Sequence, residues 1–180
     1  MSERPKAAVV LAISASPPHG VVFIERAAHL RNNPGQIGFP GGAIDPEDPH
    51  AEAAALRELD EEIGVSSERV TIVGSLPDAA QQTGPFLVTP FVGILAPGTH
   101  FVIDPAETAA VFTVPLETIV APDAVRERAL SVGGRTIDTL VFEHEERVVW
   151  GLTGRILRAF VDAWNDDRDG LRTRIEAALQ

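Results

Sequence analysis

The residues best suited to chemistry lie close together: Gly41-Gly42-Ala43-Ile44-Asp45-Pro46-Glu47-Asp48, then Ala55-Leu56-Arg57-Glu58-Leu59-Asp60-Glu61-Glu62-Ile63-Gly64-Val65. Residues 50–63 have helical spacing, and Gly64 follows in the position that favours a left-handed backbone. At about 100° per residue, Leu56, Leu59 and Ile63 fall in one sector, and Glu58, Glu61 and Glu62 in another. One face packs and the other gathers carboxylates. A solvated acidic face is the ordinary meaning of such a pattern, but its placement argues otherwise. Glu58 and Glu62 are like charges four residues apart, a repulsion of about 0.2–0.5 kcal/mol, and all three glutamates sit near the helix C-terminus, where the macrodipole disfavours anions. A hard divalent cation, Mg²⁺ or Mn²⁺, reverses both penalties, because it takes carboxylate oxygens and leaves positions for a substrate phosphate. Arg57 reaches Glu61 one turn later and orients it. Gly41-Gly42 alone is turn chemistry, but before an acidic helix it permits close backbone approach and offers the Gly41 carbonyl as a further oxygen ligand.

These groups need a frame. Residues 7–14 and 21–25 are β-type runs joined by the turn-rich 15–20 segment, and they read as a hairpin. Residues 31–42, rich in Gly, Pro and Asn, read as a shaped loop around a short 37–39 strand. Further strands are expected at 70–76, 86–95, 111–114 and 136–142, an amphipathic helix at 148–164 and a last helix at 171–179. The pattern predicts an α+β fold, an α/β/α sandwich around a mixed sheet, in a single domain spanning 1–180.

Composition narrows the chemistry. With no cysteine, thiolate nucleophiles, disulfides and Cys-bound zinc are excluded, so a metal must be held by carboxylate, His or backbone oxygen. The five histidines lack ligand spacing and read as structural or solvated. A net charge of -11, from 26 acidic and 15 basic residues, argues against nucleic acid as a partner, yet it admits an anionic diphosphate if divalent cations intervene. Residues 1–6 are polar, and the apolar run 7–13 is too short to span a membrane and lacks a signal-type cleavage region. The expectation is a soluble cytoplasmic protein with no membrane partner. The oligomeric state is left open, a homodimer included.

The glycine and acidic segments together resemble the Nudix box, G-x5-E-x7-R-E-U-x-E-E-x-G-U, where U is bulky and aliphatic. Arg57, Glu58, Leu59, Glu61, Glu62, Gly64 and Val65 match its second half position for position. In its first half Asp48 stands for Glu, and eight residues instead of seven separate it from Arg57. That spacing is associated with the coenzyme A pyrophosphatase-like branch. Three further segments resemble the same branch. Residues 31–42 fit its R-x3-G-x3-F-P-G-G pattern, Thr83-Gly84-Pro85-Phe86-Leu87-Val88-Thr89-Pro90-Phe91-Val92-Gly93 is similar to S-G-F-x-V-T-P-x-V-G with Pro85 as an extra residue, and residues 149–154 are similar to I-W-G-L-T-A. Departures are Phe23-Ile24-Glu25-Arg26 in place of a Leu-Leu-Thr-type run and Asn32-Asn33-Pro34 in place of Ser-His-Ala.

The resemblance implies a metal-dependent hydrolase of coenzyme A or a derivative, giving 3′,5′-ADP and 4′-phosphopantetheine. It implies Glu58 and Glu62 as metal ligands, with Glu61 and the Gly41 carbonyl beside them. Arg57 belongs to the same catalytic set. Glu107, after Asp104-Pro105-Ala106, is a further ligand, the general base or a solvated loop residue. Arg26 and Arg31 are candidates for substrate phosphates, with surface ion pairs as the alternative. Asp45 and Asp48 read as loop and helix-starting residues, and Trp150 as core packing. Competing readings are a Nudix hydrolase for ADP-ribose, a dinucleotide or a nucleoside triphosphate, and a silent nucleotide-binding module. The latter has little use for a costly carboxylate cluster.

Overall fold

The computed structural model describes residues 6–80 and 86–180. Residues 1–5 of the polar N-terminus, and Thr83, Gly84 and Pro85 of the 83–93 segment, lie outside the described residues. In chain order, β1 (Lys6–Ser14), β2 (Gly20–Arg26), β3 (Ile37–Gly38) and β4 (Gly41–Ala43) precede helix α1 (Ala51–Ile63). Then come β5 (Val70–Ser75), β6 (Ala79–Ala80), β7 (Leu87–Leu95), β8 (Thr108–Pro115) and the short α2 (Leu116–Ile119). The chain finishes with β9 (Val125–Val132), β10 (Arg135–His144), β11 (Arg147–Trp150), α3 (Gly151–Asn165) and α4 (Leu171–Ala178).

The near-continuous apolar runs of β1 and β2 follow from burial on both faces of one sheet. Alternate residues point to opposite sides. Ala8, Val10 and Ala12 of β1, with Val22 and Ile24 of β2, pack on Ala55, Leu59 and Ile63 of α1. Leu11, Ile13, Val21 and Phe23 face the other way, toward Ile156, Leu157 and Phe160 of α3. The result is the expected α+β sandwich. The sheet is mixed: β7 runs parallel to β1, while β5 pairs with β7, and β8 with β2, in antiparallel fashion.

The first hairpin splays. β1 meets β2 at Ile13 and Val21, but earlier along β1 its neighbour is β4, with Ala7, Ala8 and Val9 opposite Ala43, Gly42 and Gly41. The far end of β2 pairs instead with β3, Ile24 opposite Gly38 and Glu25 opposite Ile37. Residues 37–43 thus fill the wedge between two diverging strands. The close approach there requires glycine, because a Cβ on Gly41, at φ 149°, would strike the Ala8 carbonyl and come within 2.5 Å of the Val9 Cα.

The end of the chain departs from expectation. Residues 148–150, expected to be helical, are strand, and the helix starts only at Gly151, whose φ of 65° turns the chain out of β11. Strand β9 was not foreseen. It belongs to a separate three-stranded sheet, β11-β10-β9, and its mostly exposed Arg126, Glu127 and Arg128 lack the apolar alternation that marks a half-buried strand. Helix α3 crosses this sheet at Gly154, where a Cβ would clash with the Leu140 carbonyl oxygen and lie 3.0 Å from its carbon.

Since that clash is with backbone, Gly154→Ala is expected to lower stability by about 1–3 kcal/mol. Urea unfolding measures this, and an unchanged midpoint would count against the contact.

Candidate active site

Three carboxylates from two segments meet beside the glycine turn. One oxygen each from Glu58, Glu62 and Glu107 lies within 4.8 Å of the others. Their positions have separate local causes. Glu62 is on the packed side of α1, only 2% exposed, and accepts a 2.9 Å hydrogen bond from the Gly41 N–H. The Glu58 carboxylate occupies the space a side chain on Gly42 would need: a Cβ there would be 2.5 Å from its Cδ and from Oε1. Glu107 arrives from a loop that satisfies the last carbonyls of α1, which a helix leaves open. The Val102 N–H donates to the Ile63 carbonyl at 2.9 Å, and the Asp104 N–H to that of Glu62 at 3.1 Å. The Glu107 carbonyl in turn accepts from the Ala27 N–H at 2.9 Å, tying this loop to the end of β2.

Arg57 is the main cation of the cluster's outer side. It donates to Glu58 and Glu61, each at 2.9 Å, to the Ala43 carbonyl at 3.1 Å, and through Nε and Nη2 to both oxygens of Asp48 at 3.1 and 3.0 Å. The expected reach from Arg57 to Glu61 is present. Asp48 does not start the helix. The N-cap is His50, whose Nδ1 accepts from the Ala53 N–H, and the Asp48 side chain is turned to Arg57. The Arg57 bonds hold the Asp48 carboxyl below the usual range, and Asp48 foremost raises the guanidinium's own pKa. Glu61 lies outside the group of three, largely exposed, with its carboxylate on Arg57.

Burial dominates the inner carboxylates. Desolvation pushes the Glu62 carboxyl up to about 7; the Gly41 N–H and Arg26 oppose this, whereas Glu58 and Glu107 add to it. Glu58 is also raised, first by desolvation, against the pull of Arg57. Hard oxygen donors at this spacing, with no sulfur or imidazole among them, suit Mg²⁺ or Mn²⁺.

A cavity of about 470 Å³ opens nearby, lined by residues of the 31–42 segment, by Arg26 and by residues 150–156. Arg26 is half-buried, with its Nη1 4.0 Å from Glu62 Oε1. Arg31 is exposed and does not line the cavity. Trp150 is partly buried and forms cavity wall. Sequence reasoning missed Arg155, which lines the same cavity from α3; it shares its helix face with Arg158 and Asp162 and so reads as part of an ordinary solvated side.

Residues 4–132 match the NUDIX domain family. The chain is 37% identical over 155 residues to the "Uncharacterized Nudix hydrolase NudL" of Enterobacter sp. (strain 638), covering 86% of this chain and 80% of that one. A Nudix hydrolase from M. smegmatis, RenU, shares the fold with TM-score 0.54 and 24% identity, over 66% of this chain and 74% of that one. The NUDIX domain of Shewanella oneidensis NrtR, solved with ADP ribose, superimposes with TM-score 0.53 and 19% identity, over 67% and 78%.

The raised Glu62 pKa has a sign. The folded state favours the protonated form, so in metal-free protein this contribution to stability is complete below the ordinary value of 4.5 and is lost as pH rises through about 7. The full loss is about 3 kcal/mol. Melting temperatures in chelator should fall from pH 5 to 8 for the wild type and much less for Glu62→Gln. Parallel curves for the two proteins would refute the assignment.

Proposed function

Because the chain belongs to the Nudix family, and is thereby a pyrophosphohydrolase, we propose that it hydrolyses the diphosphate of coenzyme A or a derivative to 3′,5′-ADP and 4′-phosphopantetheine. One observation carries the substrate reading. Parts of the three segments that resemble the coenzyme A branch lie around one cavity: Asn32 to Phe39 from the first, Phe86 from the second, and Trp150 to Thr153 from the third. Thr153 Oγ1 donates to the Ile37 carbonyl at 3.2 Å, which locks the third segment onto the first. These segments are far apart in sequence, and a shared ligand is a physical reason for them to converge.

Nudix hydrolases need a divalent metal, and Glu58, Glu62 and Glu107 would hold it, with the Gly41 carbonyl as the further oxygen that the resemblance implies. When bound, the metal supplies Lewis-acid stabilisation of charge on the diphosphate and lowers the pKa of a coordinated water. The remaining work falls to the chain. Arg57, tied to Asp48 and Glu61, fixes the rotamer of Glu58. The Gly41 N–H keeps the Glu62 carboxylate turned to the glycine wedge. Arg26, at the end of β2 beside Glu62 on the cavity wall, is placed to take substrate phosphate oxygens, with Arg31 a further, exposed cation on the loop that follows. Water adds to phosphorus, the anhydride P–O bond breaks, and the bridging oxygen leaves with one of the two phosphates. The exposed Glu107 can pass the water's proton to solvent.

Purified protein with Mg²⁺ or Mn²⁺ should release 3′,5′-ADP from coenzyme A, as read by chromatography, and Glu62→Gln should lose this by a hundredfold or more, about 3 kcal/mol. Turnover of ADP-ribose alone would retain the site and overturn the substrate.

A separate variant probes the glycine turn. The three nearest atoms that a Cβ at residue 42 would meet all belong to the Glu58 carboxylate and none is backbone, so Gly42→Ala should fold with near wild-type stability yet push Glu58 aside and lose about tenfold or more in kcat. Unaltered kcat would show that the position of Glu58 is not critical.

A further inference from the structure

We propose that Arg155 recognises a second anionic group on the substrate, a phosphate monoester separate from the diphosphate. This inference rests on the coenzyme A reading and names the part of that ligand which the α3 side of the cavity selects.

The cavity has two guanidinium groups in its wall. They are not equivalent. Arg26 faces Glu62 at 4.0 Å, so its charge belongs to the carboxylate end, where the diphosphate is handled. Both have a buried Nε without a hydrogen-bond partner, but Arg155, which comes from α3, also lacks an ion pair, so among the described residues nothing offsets its charge. Neighbouring arginines differ. Arg158, one turn on, donates to the Val125 carbonyl and faces Asp162 at 3.8 Å, while Arg174 donates to the Val73 and Asp169 carbonyls.

Phe86, Trp150 and Ile156 line the same cavity, and a partly buried guanidinium whose Nε meets no acceptor among the described residues is costly to keep charged. Water at the exposed part of the guanidinium hydrates it but does not neutralise the charge. An anion delivered with the ligand does both, and a phosphate monoester presents oxygens that match the planar guanidinium fork. Asn32, Asn33 and Gln36 on the facing loop supply neutral donors for the same group. In coenzyme A that group is the 3′-phosphate of the ribose, and the structure assigns its selection to Arg155.

The test uses the two nucleotides 3′,5′-ADP and 5′-AMP, which differ only in this monoester. Calorimetric titration of the intact chain with Mg²⁺ should give about tenfold or tighter binding of 3′,5′-ADP over 5′-AMP, the worth of a charge-assisted contact. Arg155→Gln should bring the two affinities together, and Arg155→Lys should restore part of the difference. Equal affinities in the wild type, equal weakening of both nucleotides in Arg155→Gln, or no binding of either overturns the proposal. Thermal melting of the variants identifies a folding defect, and Arg155→Lys, which keeps the charge, decides the matter if Arg155→Gln fails to fold. In turnover, the ratio of kcat/KM for coenzyme A to that for its 3′-dephospho form should fall toward one in Arg155→Gln. If the wild type cleaves another anhydride and not coenzyme A, the coenzyme reading fails while the nucleotide titration still decides the role of Arg155.

Discussion

The structure is organised around a concentration of negative charge whose inner member is shielded from water. Three carboxylates have oxygens within 4.8 Å of one another, and one of them, Glu62, is 2% exposed. At an effective dielectric of about 20, each charged pair at that distance repels by about 3 kcal/mol. The chain offsets only part of this. Arg57 serves the outer side through Glu58, and the inner carboxylate receives a single backbone N–H from Gly41 and a distant guanidinium from Arg26. Burial of Glu62, with the repulsion of Glu58 and Glu107 added to it, appears as its raised pKa, and a hard divalent cation would offset both.

Holding such a cluster demands a rigid frame, and the topology provides one at the point where regular pairing fails. Because β1 and β2 diverge, a short glycine segment enters between them and carries its backbone up to α1. Neither glycine has room for a side chain, but for different reasons: one meets the backbone of β1 and the other meets the Glu58 carboxylate. The third acid depends on a second irregularity. The register of β8 against β2 slips between Glu25 and Arg26, opposite Ala110 and Thr108, and the loop just before that slip carries Glu107. A cation and an acid are aimed by one bulge.

Much of this was legible in the sequence because it is local. Helix α1, its Gly64 cap, the strand pair before it and the Arg57–Glu61 contact all follow from spacings of four residues or fewer, or from uninterrupted apolar runs. What was hidden depends on packing. A helical wheel places Glu62 with the other acids, but its sector borders that of Leu59, and only the sheet beneath decides that Glu62 is buried while Glu61 is not. Asp48 has the side chain and location of a helix cap; the insertion before α1 gives that role to His50 and frees Asp48 to grip Arg57. Strand β9 looked polar because both faces of its first half meet solvent, residues 126–129 all being exposed, and β11 looked helical because its apolar residues run straight into those of α3.

The carboxylate cluster and the cavity are built from separate parts of this fold, which, on the proposed reading, lets substrate choice vary without loss of catalysis. The carboxylates and their supports come from residues 41–62 and one loop, all fastened to the central sheet. The cavity wall draws on residues 32–39, on Phe86, on Ile137 of the second sheet and on the start of α3. These parts touch the carboxylate cluster chiefly through Arg26, the residue common to both. A change on α3 can therefore alter which leaving group is held while leaving the Glu58–Arg57–Asp48 arrangement untouched, since no bond of that arrangement runs through α3. On the proposed reading the second sheet, whose strands the sequence disguised best, stands where specificity is set: it presents Ile137 to the cavity, and through β11 it fixes where α3 begins.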